Sequence, residues 1–249
     1  MHISGRTREI LRTLAVFLAA CLVLCLIRLF VFDQYTVSSP RPAAGFLQGD
    51  RLLVLKTSYG ARLPFADYTG CRRLGDGKPQ RGDWMAFNMP AGSSGDIPER
   101  TVCMAQCFAL PGDTVTLTKD MKVGRGQGKG SFPFAIPAKG RRVYITKWNA
   151  RLLCNTINLH EPCHCAELKG DTLLIDGHTA PYVVFTQDYY WAYSGRQGNT
   201  EDSRYYGLVP QSHLIGRVML ILYSTKPDEP FYRSLRTDRF FKIPQGNVK

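Results

Sequence analysis

The chain has 249 residues, enough for one large domain or two smaller ones with a buried core. Hydrophobic residues make up 44% of it, and no stretch is biased enough to predict disorder. The formal net charge of +12 would suit nucleic acid or an anionic membrane surface, but the lysines and arginines are scattered and form no nucleic-acid-binding signature. We therefore expect a basic surface beside lipid head groups and no nucleic acid as partner.

The first predicted element is a transmembrane anchor over residues 13–32. Residues 14–32 are apolar apart from Arg28, and at about 1.5 Å per residue they span roughly the hydrocarbon core of a bilayer. Three arginines against one glutamate precede this run, so the positive-inside rule predicts a cytoplasmic tail over residues 1–12 and an extracytoplasmic main domain. A cleaved secretory signal is the alternative, but the apolar run is too long and no small-residue cleavage site follows closely.

The rest of the sequence predicts short β-strands. Each is an apolar or β-branched run opened by a turn dipeptide such as Gly-Asp, without helical periodicity, which indicates a mainly β barrel or sandwich. We expect strands over residues 52–55, 84–87, 114–117, 172–175 and 218–223.

Composition also suggests how this β region is divided. Residues 131–139 and 146–167 are of mixed composition and interrupt the strand pattern, so we interpret them as part of an insertion. We predict a core in two halves (33–117 and 186–226), an inserted β subdomain (118–185) and a polar C-terminal tail (227–249) on the surface.

The eight cysteines allow two interpretations. Cys21 and Cys25 lie in the membrane segment as packing residues, whereas the other six would face an oxidising compartment, which favours one or two disulfides of unassigned connectivity. Residues 160–165 also contain zinc-ligand types, but they lack the usual C-x₂-C spacing and adjacent residues seldom reach one ion. We therefore favour disulfides or free thiols over a metal site and expect no cofactor. The six are Cys71, Cys103, Cys107, Cys154, Cys163 and Cys165.

Four motifs follow the predicted anchor in a fixed order: 49–54 (GDRLLV), 81–87 (RGDWMAF), 109–113 (ALPGD) and 199–204 (NTEDSR). In this order and spacing they resemble the boxes of bacterial type I signal peptidases, the peptidase S26 family. Residues 135–140 and 188–191 look most like the Bacteroidetes branch of that family. The resemblance covers most of the chain and implies a signal-peptidase-type β-barrel and β-ribbon core with one N-terminal transmembrane helix.

The resemblance also implies an activity, the removal of signal peptides from exported preproteins by a membrane serine endopeptidase. In this family a serine attacks the peptide carbonyl, a neutral lysine takes its proton, and a second serine donates to the oxyanion. The substrate lies extended along a strand edge, so the implied partners are signal-peptide-like segments and the lipid bilayer. The implied location is the inner (cytoplasmic) membrane, single-pass, with a periplasmic main domain. The implied substrate groove comprises Val37, Ser39, Trp84 and Phe87.

Both catalytic positions of the family hold other residues in this sequence. Counting back from the Gly-Asp pair of the first motif, the nucleophile position is Arg41, whose guanidinium is always protonated, and Ser39 takes the place of the oxyanion-donating serine. The general-base position, four residues before Ala109, is Ala105. A two-residue insertion would make Ser39 the nucleophile, but it breaks the register upstream.

The last motif keeps part of the family pattern. Asp202, Ser203 and Arg204 match it, and Thr200 keeps a hydroxyl where the family has a serine that steadies the lysine. We interpret Asp202 and Arg204 as an ion pair that braces a turn rather than as catalytic groups.

Three functional hypotheses follow. The favoured one is an inactive pseudoprotease that retains a peptide-binding groove and binds exported peptides or partners an active signal peptidase paralogue. In this hypothesis Arg41 binds a carboxylate or a lipid phosphate, or is a solvated loop residue. The second is an active signal peptidase I that uses Ser39 with an unidentified base. The third is a metal or redox protein built on residues 160–165.

Overall fold

The computed structural model describes residues 5–62, 73–91, 97–118, 130–162, 165–195, 202–227 and 229–245. Within these ranges the protein is mainly β, as predicted. The α-helices are α1 (Gly5–Phe30), α2 (Ala150–His160), α3 (Ser203–Tyr206) and α4 (Phe231–Ser234). Short 3₁₀ turns cover Lys56–Tyr59, Ile97–Glu99, Gln211–His213 and Thr237–Arg239.

The strands of the described residues follow one another closely along the chain. They are β1 (Phe32–Thr36), β2 (Asp50–Leu55), β3 (Ala61–Arg62), β4 (Arg73–Leu74), β5 (Trp84–Asn88), β6 (Val102–Ala109), β7 (Thr114–Thr118), β8 (Ser131–Ala135), β9 (Arg142–Tyr144), β10 (Ala166–Lys169), β11 (Thr172–Ile175), β12 (His178–Thr179), β13 (Tyr182–Val184), β14 (Tyr189–Tyr193), β15 (Val209–Pro210) and β16 (Leu214–Ser224). The five strands predicted from sequence are confirmed as β2, β5, β7, β11 and β16.

A seven-stranded sheet forms the core, in the order β1-β2-β16-β5-β6-β14-β15, with antiparallel neighbours throughout. It curls into part of a barrel. Its pairings join residues far apart in sequence, because the long strand β16 lies between β2 and β5. The last strand, β16, thus lies directly beside β2, one of the first strands of the chain.

Side chains on the two faces of this sheet form two separate apolar clusters, because successive residues of a strand point to opposite faces. We call the first the loop-face cluster: it contains Val37, Ala43, Phe46, Leu52, Val54, Trp84, Ala86, Met104, Ile215, Val218 and Ile221. We call the second the far-face cluster: it contains Tyr59, Met85, Phe87, Cys103, Ala105, Cys107, Tyr190, Ala192, Val209 and Leu214.

The predicted insertion contains a helix that sequence analysis missed. Helix α2 follows Asn149, whose side chain accepts a hydrogen bond from the Thr146 N–H at 2.7 Å and donates to the Tyr144 carbonyl at 2.9 Å. Its buried positions, which include Ala150, Leu153 and Ile157, recur at helical spacing and pack with β7, β8 and β11 in a third apolar cluster. That periodicity was the available signal, and it was hidden among the polar residues around it. The domain boundaries themselves stay a prediction.

Helix α1 fits a single-pass anchor. In the described part of the chain it is the one helix long and apolar enough to cross a membrane, over Arg8–Phe30, and it ends before the predicted boundary because Phe32 already belongs to β1. Lys56, at the end of β2, joins it to the domain: the ammonium donates to the carbonyls of Arg28 and Leu29 at 3.2 and 3.1 Å. It also pairs with Asp33 at 2.9 Å. A cation at a helix C-terminus stabilises the exposed carbonyls.

Candidate active site

The loop that carries Ser39 and Arg41 is pinned at both ends. Val37 donates its N–H to the carbonyl of Asp50 at 2.9 Å, and Gly49 donates back to the carbonyl of Val37 at 2.8 Å. Gly49 has φ +90°, and a Cβ there would come within 1.8 Å of the Thr225 carbonyl oxygen. The Gly-Asp pair of the first motif is thus required by the close approach of another backbone, which fixes where the loop leaves and re-enters the sheet.

Ser39 and Arg41 contact each other within this loop. The Ser39 hydroxyl accepts a hydrogen bond from the backbone N–H of Arg41 at 3.3 Å, and no hydrogen bond joins it to a lysine amine among the described residues. The Arg41 side chain is exposed, and within those same ranges it forms no ion pair. The geometry gives Ser39 a local structural bond and leaves Arg41 a solvated cation.

Ala105, at the general-base position, lies in the middle of β6 opposite Met85 and is completely buried in the far-face cluster. A methyl group cannot accept a proton. Two of the described lysines are paired elsewhere, Lys56 with Asp33 and Lys78 with Asp188. Lys119, the nearest lysine in sequence, lies outside the described residues. No base for a serine is therefore found at this position in the described ranges.

The fold brings the backbone of the loop close to that of β6 beside Ala105, although the Ala105 side chain lies on the other face of the sheet. Strand β14 ends at Tyr193, which stands opposite Gln106, the neighbour of Ala105. The next residue, Ser194, accepts a hydrogen bond from the N–H of Ala44, three residues after Arg41, at 2.7 Å. The end of β14 thus joins the loop to β6.

Asp202 accepts several hydrogen bonds beside the end of β14. Its buried carboxylate accepts hydrogen bonds from the N–H and hydroxyl of Ser194 at 2.8 and 2.9 Å, and from the backbone N–H of Arg204 at 2.9 Å as the N-cap of α3. The Arg204 guanidinium pairs with it at 2.9 Å and lies over the Tyr193 ring. The Ser203 hydroxyl accepts from the Ala192 N–H at 2.8 Å. These contacts brace the turn, as the sequence interpretation expected. Thr200 lies outside the described residues.

The structure divides the predicted substrate groove. Val37 and Trp84 share the loop-face cluster, whereas Phe87 is fully buried in the far-face cluster. The cause is strand alternation, because residues 84 and 87 are an odd number apart on β5. Met104, which sequence analysis did not name, packs with Val37 and Trp84 instead. The alternation of β6 around Ala105 was the signal that could have identified it.

Two histidines that sequence analysis did not predict to be neighbours are in contact at the end of α2. The rings of His160 and His213 lie 5.0 Å apart edge to face, and Nδ1 of His213 lies 3.1 Å from the Asn88 carbonyl oxygen. Burial, assisted by the charge of Arg100, lowers the pKa of His160 to about 4. Burial, assisted by His160 and by the charges of Arg100 and Arg62, lowers the pKa of His213 to about 3. Both imidazoles are therefore neutral at pH 7.

The hypothesis of a metal site at residues 160–165 falls partly outside the described residues; within those residues there is no group of three or more His, Cys, Asp or Glu side chains that could hold a metal ion. Cys165 is disulfide-bonded, in agreement with the favoured interpretation, and Cys163 and His164 lie outside those residues. Cys103, Cys107 and Cys154 are buried, and Cys107 and Cys154 are free thiols. Burial, with the nearby carboxylate of Asp83, raises the pKa of the Cys107 thiol to about 12, so this thiol is unreactive at neutral pH.

The part of the chain that matches known proteins includes the loop, β6 and the Asp202 turn. The pattern of the family described as "Signal peptidase, peptidase S26" matches residues 10–223. Signal peptidase I of Buchnera aphidicola (subspecies Baizongia pistaciae) is 23% identical over 273 residues, covering 96% of this chain and 85% of that protein. Signal peptidase I of Pseudomonas aeruginosa is 25% identical, covering 84% and 70%. The Haemophilus influenzae protein of the same name is 25% identical, covering 88% and 71%.

Proposed function

Because this chain belongs to the peptidase S26 family of signal peptidases, we propose that it is a non-catalytic member that binds extended segments of exported proteins at the outer face of the membrane. The observation that carries the proposal is the pair of residues at the catalytic positions: an exposed guanidinium at residue 41 and a buried methyl at residue 105. Loss of a nucleophile or its base typically costs about a factor of 10⁶ in rate.

The membrane location rests on helix α1 and the charges before it. A helix of this length and composition is long enough to span a bilayer once, and the arginines on its N-terminal side favour a cytoplasmic location for that end by the positive-inside rule. Lys56 then holds the first strands of the domain against the end of the anchor. The loop of Ser39 and Arg41 follows β1 directly, so it stays near the membrane surface where exported chains emerge.

Peptide binding rests on the strand arrangement beside that loop. β14 pairs with β6 from Ala109 only as far as Gln106, and the loop is hydrogen-bonded to the chain directly after β14. An extended peptide can therefore be placed between the loop and the first half of β6, with Met104 and Val37 beneath it. In this arrangement the peptide is held mainly through its backbone, which accepts many sequences.

Arg41 gives the site a preference for a carboxylate. In the family an oxygen of the attacked carbonyl lies beside the nucleophile position, and after cleavage the signal peptide ends there in a carboxylate. A solvated guanidinium at this position can form two charge-assisted hydrogen bonds with that group. We therefore expect cleaved signal peptides to bind more tightly than the same sequences within intact preproteins. A partnership with an active signal peptidase paralogue follows naturally, since such an enzyme supplies the cleaved peptide.

In the decisive experiment, the full-length protein is incubated with a test preprotein in non-ionic detergent with phospholipid. An active signal peptidase I is incubated with the same preprotein in a parallel reaction, as the positive control. We expect no processing by the wild-type protein and none by Ser39→Ala. Processing by the wild type that Ser39→Ala abolishes would establish the alternative, an active enzyme with Ser39 as nucleophile.

Binding is measured separately, by fluorescence anisotropy of a labelled signal peptide with either a free carboxylate or an amide at its C-terminus. The free acid should bind about tenfold more tightly, and Arg41→Gln should remove this difference. Arg142→Gln is the matched control, because Arg142 is exposed and stacks over Tyr182 away from the site. Equal affinities of acid and amide for the wild type would refute the role of Arg41, and binding of neither peptide would refute the peptide-binding function.

A further inference from the structure

A basic cleft lies where the core meets the predicted insertion, away from the candidate active site. We call it the junction cleft. It has a volume of about 480 Å³ and lies between the turn at residues 110–113, after β6, and the connection from β8 to β9. The side chains that matter for its chemistry are Lys78, Lys139, Arg141, Asp188 and Tyr190.

The walls of the junction cleft are held by backbone hydrogen bonds. Gly112 donates to the carbonyl of Ile136 at 2.9 Å, and Ile136 donates back to the carbonyl of Asp113 at 2.8 Å. Tyr189 donates to the carbonyl of Pro137 at 3.1 Å, which fixes β14 to the same connection. The cleft is therefore preformed, and a ligand does not have to order it.

Its charges are unbalanced. Lys78 pairs with Asp188 at 2.9 Å, and the second carboxylate oxygen of Asp188 accepts the backbone N–H of Lys139 at 2.9 Å. Burial alone would raise the pKa of Asp188, but these bonds from Lys139 and Lys78 outweigh it and lower the pKa, so the carboxylate is ionised at pH 7. Among the described residues the side chains of Lys139 and Arg141 form no ion pair. Three cations against one carboxylate leave two positive charges.

The Arg141 guanidinium is positioned by the turn that forms one wall. Gly112 has φ +87°, and a Cβ added there would lie 3.1 Å from Nη1 of Arg141. The absence of a side chain at residue 112 therefore lets the guanidinium lie close against the turn. The planar guanidinium presents its donors in a fixed fork, so less conformational freedom is lost per hydrogen bond formed with an anion.

Tyr190 supplies a second, independent indication of a ligand. It lines the junction cleft, is fully buried, and its hydroxyl has no hydrogen-bond partner among the described residues. A buried hydroxyl without a partner loses its hydrogen bonds to water and gains none in return. Burial, with the charge of Asp188, raises the pKa of Tyr190 well above its ordinary value, so the hydroxyl stays protonated and can donate. The hydroxyl oxygen itself is not exposed to solvent, so an acceptor in the cleft reaches it only when the Tyr190 ring moves.

We propose that the junction cleft binds a phosphate-type oxyanion through Arg141, Lys139 and the hydroxyl of Tyr190. A guanidinium, an ammonium and a neutral hydroxyl together match the several acceptor oxygens of a phosphate group. The volume exceeds that of a phosphate alone and lies in the range of small-molecule sites, so the phosphate is carried on a larger molecule. The Asp188 carboxylate does not oppose binding strongly, because both of its oxygens are already bonded.

The proposal is tested by titrating inorganic phosphate into the full-length protein in non-ionic detergent and measuring heat by calorimetry. We expect saturable binding, weakened about tenfold by Arg141→Gln and severalfold by Lys139→Gln. Tyr190→Phe, which removes only the hydroxyl, should also weaken binding severalfold while leaving the fold intact. Arg142→Gln, at the adjacent exposed arginine, should change affinity by less than about twofold.

A second arm identifies the source of the phosphate. Full-length protein is incubated with vesicles of phosphatidylcholine containing or lacking phosphatidylglycerol phosphate, and its binding is compared for Arg141→Gln and Arg142→Gln. A selective loss with Arg141→Gln assigns a lipid headgroup, whereas selective loss in the calorimetry alone assigns a soluble phosphate compound. No saturable phosphate binding by the wild type, or equal weakening by Arg141→Gln and Arg142→Gln, overturns the proposal.

Discussion

Arg239 and Asp50 form a buried ion pair that joins the C-terminal segment to the turn that closes the candidate site loop. The guanidinium Nε lies 3.0 Å from one carboxylate oxygen and Nη2 lies 2.6 Å from the other. Nη2 also donates to the carbonyl of Gly45, inside the loop, at 2.9 Å. Arg239 is 8% exposed, whereas Phe241 and Ile243 nearby are exposed, so the tail that was predicted to lie on the surface is fixed to the core at this residue. The tail holds the loop in place.

Removing either partner of this pair should strongly destabilise the protein. Arg239→Ala leaves the Asp50 carboxylate buried without its cation, so we expect the free energy of unfolding to fall by about 3–5 kcal/mol. Denaturant unfolding of the full-length protein in detergent, followed by tryptophan fluorescence, measures this change. Glu229→Gln is the control, because it breaks the exposed Lys226 pair and should cost about 0–1 kcal/mol. A similar small effect of both variants would contradict the assigned role.

Asp202→Asn tests whether the Asp202 turn is structural. In the wild-type protein, donors of Ser194 and Arg204 share the Asp202 carboxylate. The NH₂ group of an amide at this position would face one of these donors instead of accepting its hydrogen bond. We therefore expect the free energy of unfolding to fall by about 2–4 kcal/mol. The same denaturation experiment measures it. Asp171→Asn, at an exposed position, should have little effect. If Asp202→Asn left stability unchanged, the interpretation of this residue as a brace would fail.

The His160–His213 pair should make the protein less stable in mild acid. The pKa of each folded imidazole is below the ordinary value of about 6.5, so the unfolded chain binds more protons as the pH falls. The contribution of the two neutral histidines to the free energy of unfolding is fully present above pH ~6.5. It is lost as the pH falls towards the folded pKa values of about 4 and about 3. The loss is at most about 1.4 kcal/mol per pH unit for each histidine. Arg100 and Arg62 face the pair and favour its neutral form.

Unfolding free energies between pH 7 and 5 measure this slope, in a range where carboxylates contribute little. His160→Gln should reduce the slope by about half, because it removes one of the two groups. His178→Gln, at an exposed position on β12, should leave it unchanged. A slope that His160→Gln does not alter would show that other groups cause the pH dependence.

Restoring the family's two residues at the catalytic positions should not restore cleavage. In Arg41→Ser with Ala105→Lys, the new lysine enters the far-face cluster, whereas the loop of residue 41 packs on the other face of the sheet. The amine therefore cannot reach the new hydroxyl to take its proton, and Pro42 and Ala44 stand where the family has methionine and proline. We expect no cleavage of the test preprotein by the double variant or by Ala105→Lys alone. Cleavage by the double variant would contradict this assignment of faces, and cleavage by the single variant that Ser39→Ala abolishes would make Ser39 the nucleophile.

Local pattern predicted much of this fold. The apolar run before Asp33 indicated a membrane helix, and Gly-Asp turns before β-branched runs located β2, β5 and β7, because these signals depend on residues close in sequence. Helix α2 was missed since its apolar face appears only every third or fourth residue among polar ones. Phe87 was placed with Trp84 in the substrate groove that the resemblance implies, although the pleat of β5 sends them to opposite faces.

The sequence by itself determined the family, the β-rich composition, the membrane anchor and the identity of the residues at positions 41 and 105. Only the tertiary structure decided which side chains meet: the Arg239–Asp50 pair, the His160–His213 contact and the cations of the junction cleft. Each of these joins segments separated by many residues, and their contact depends on the pairing of strands across the sheet. Spacing along the chain does not encode that pairing, because it results from the packing of all the strands together.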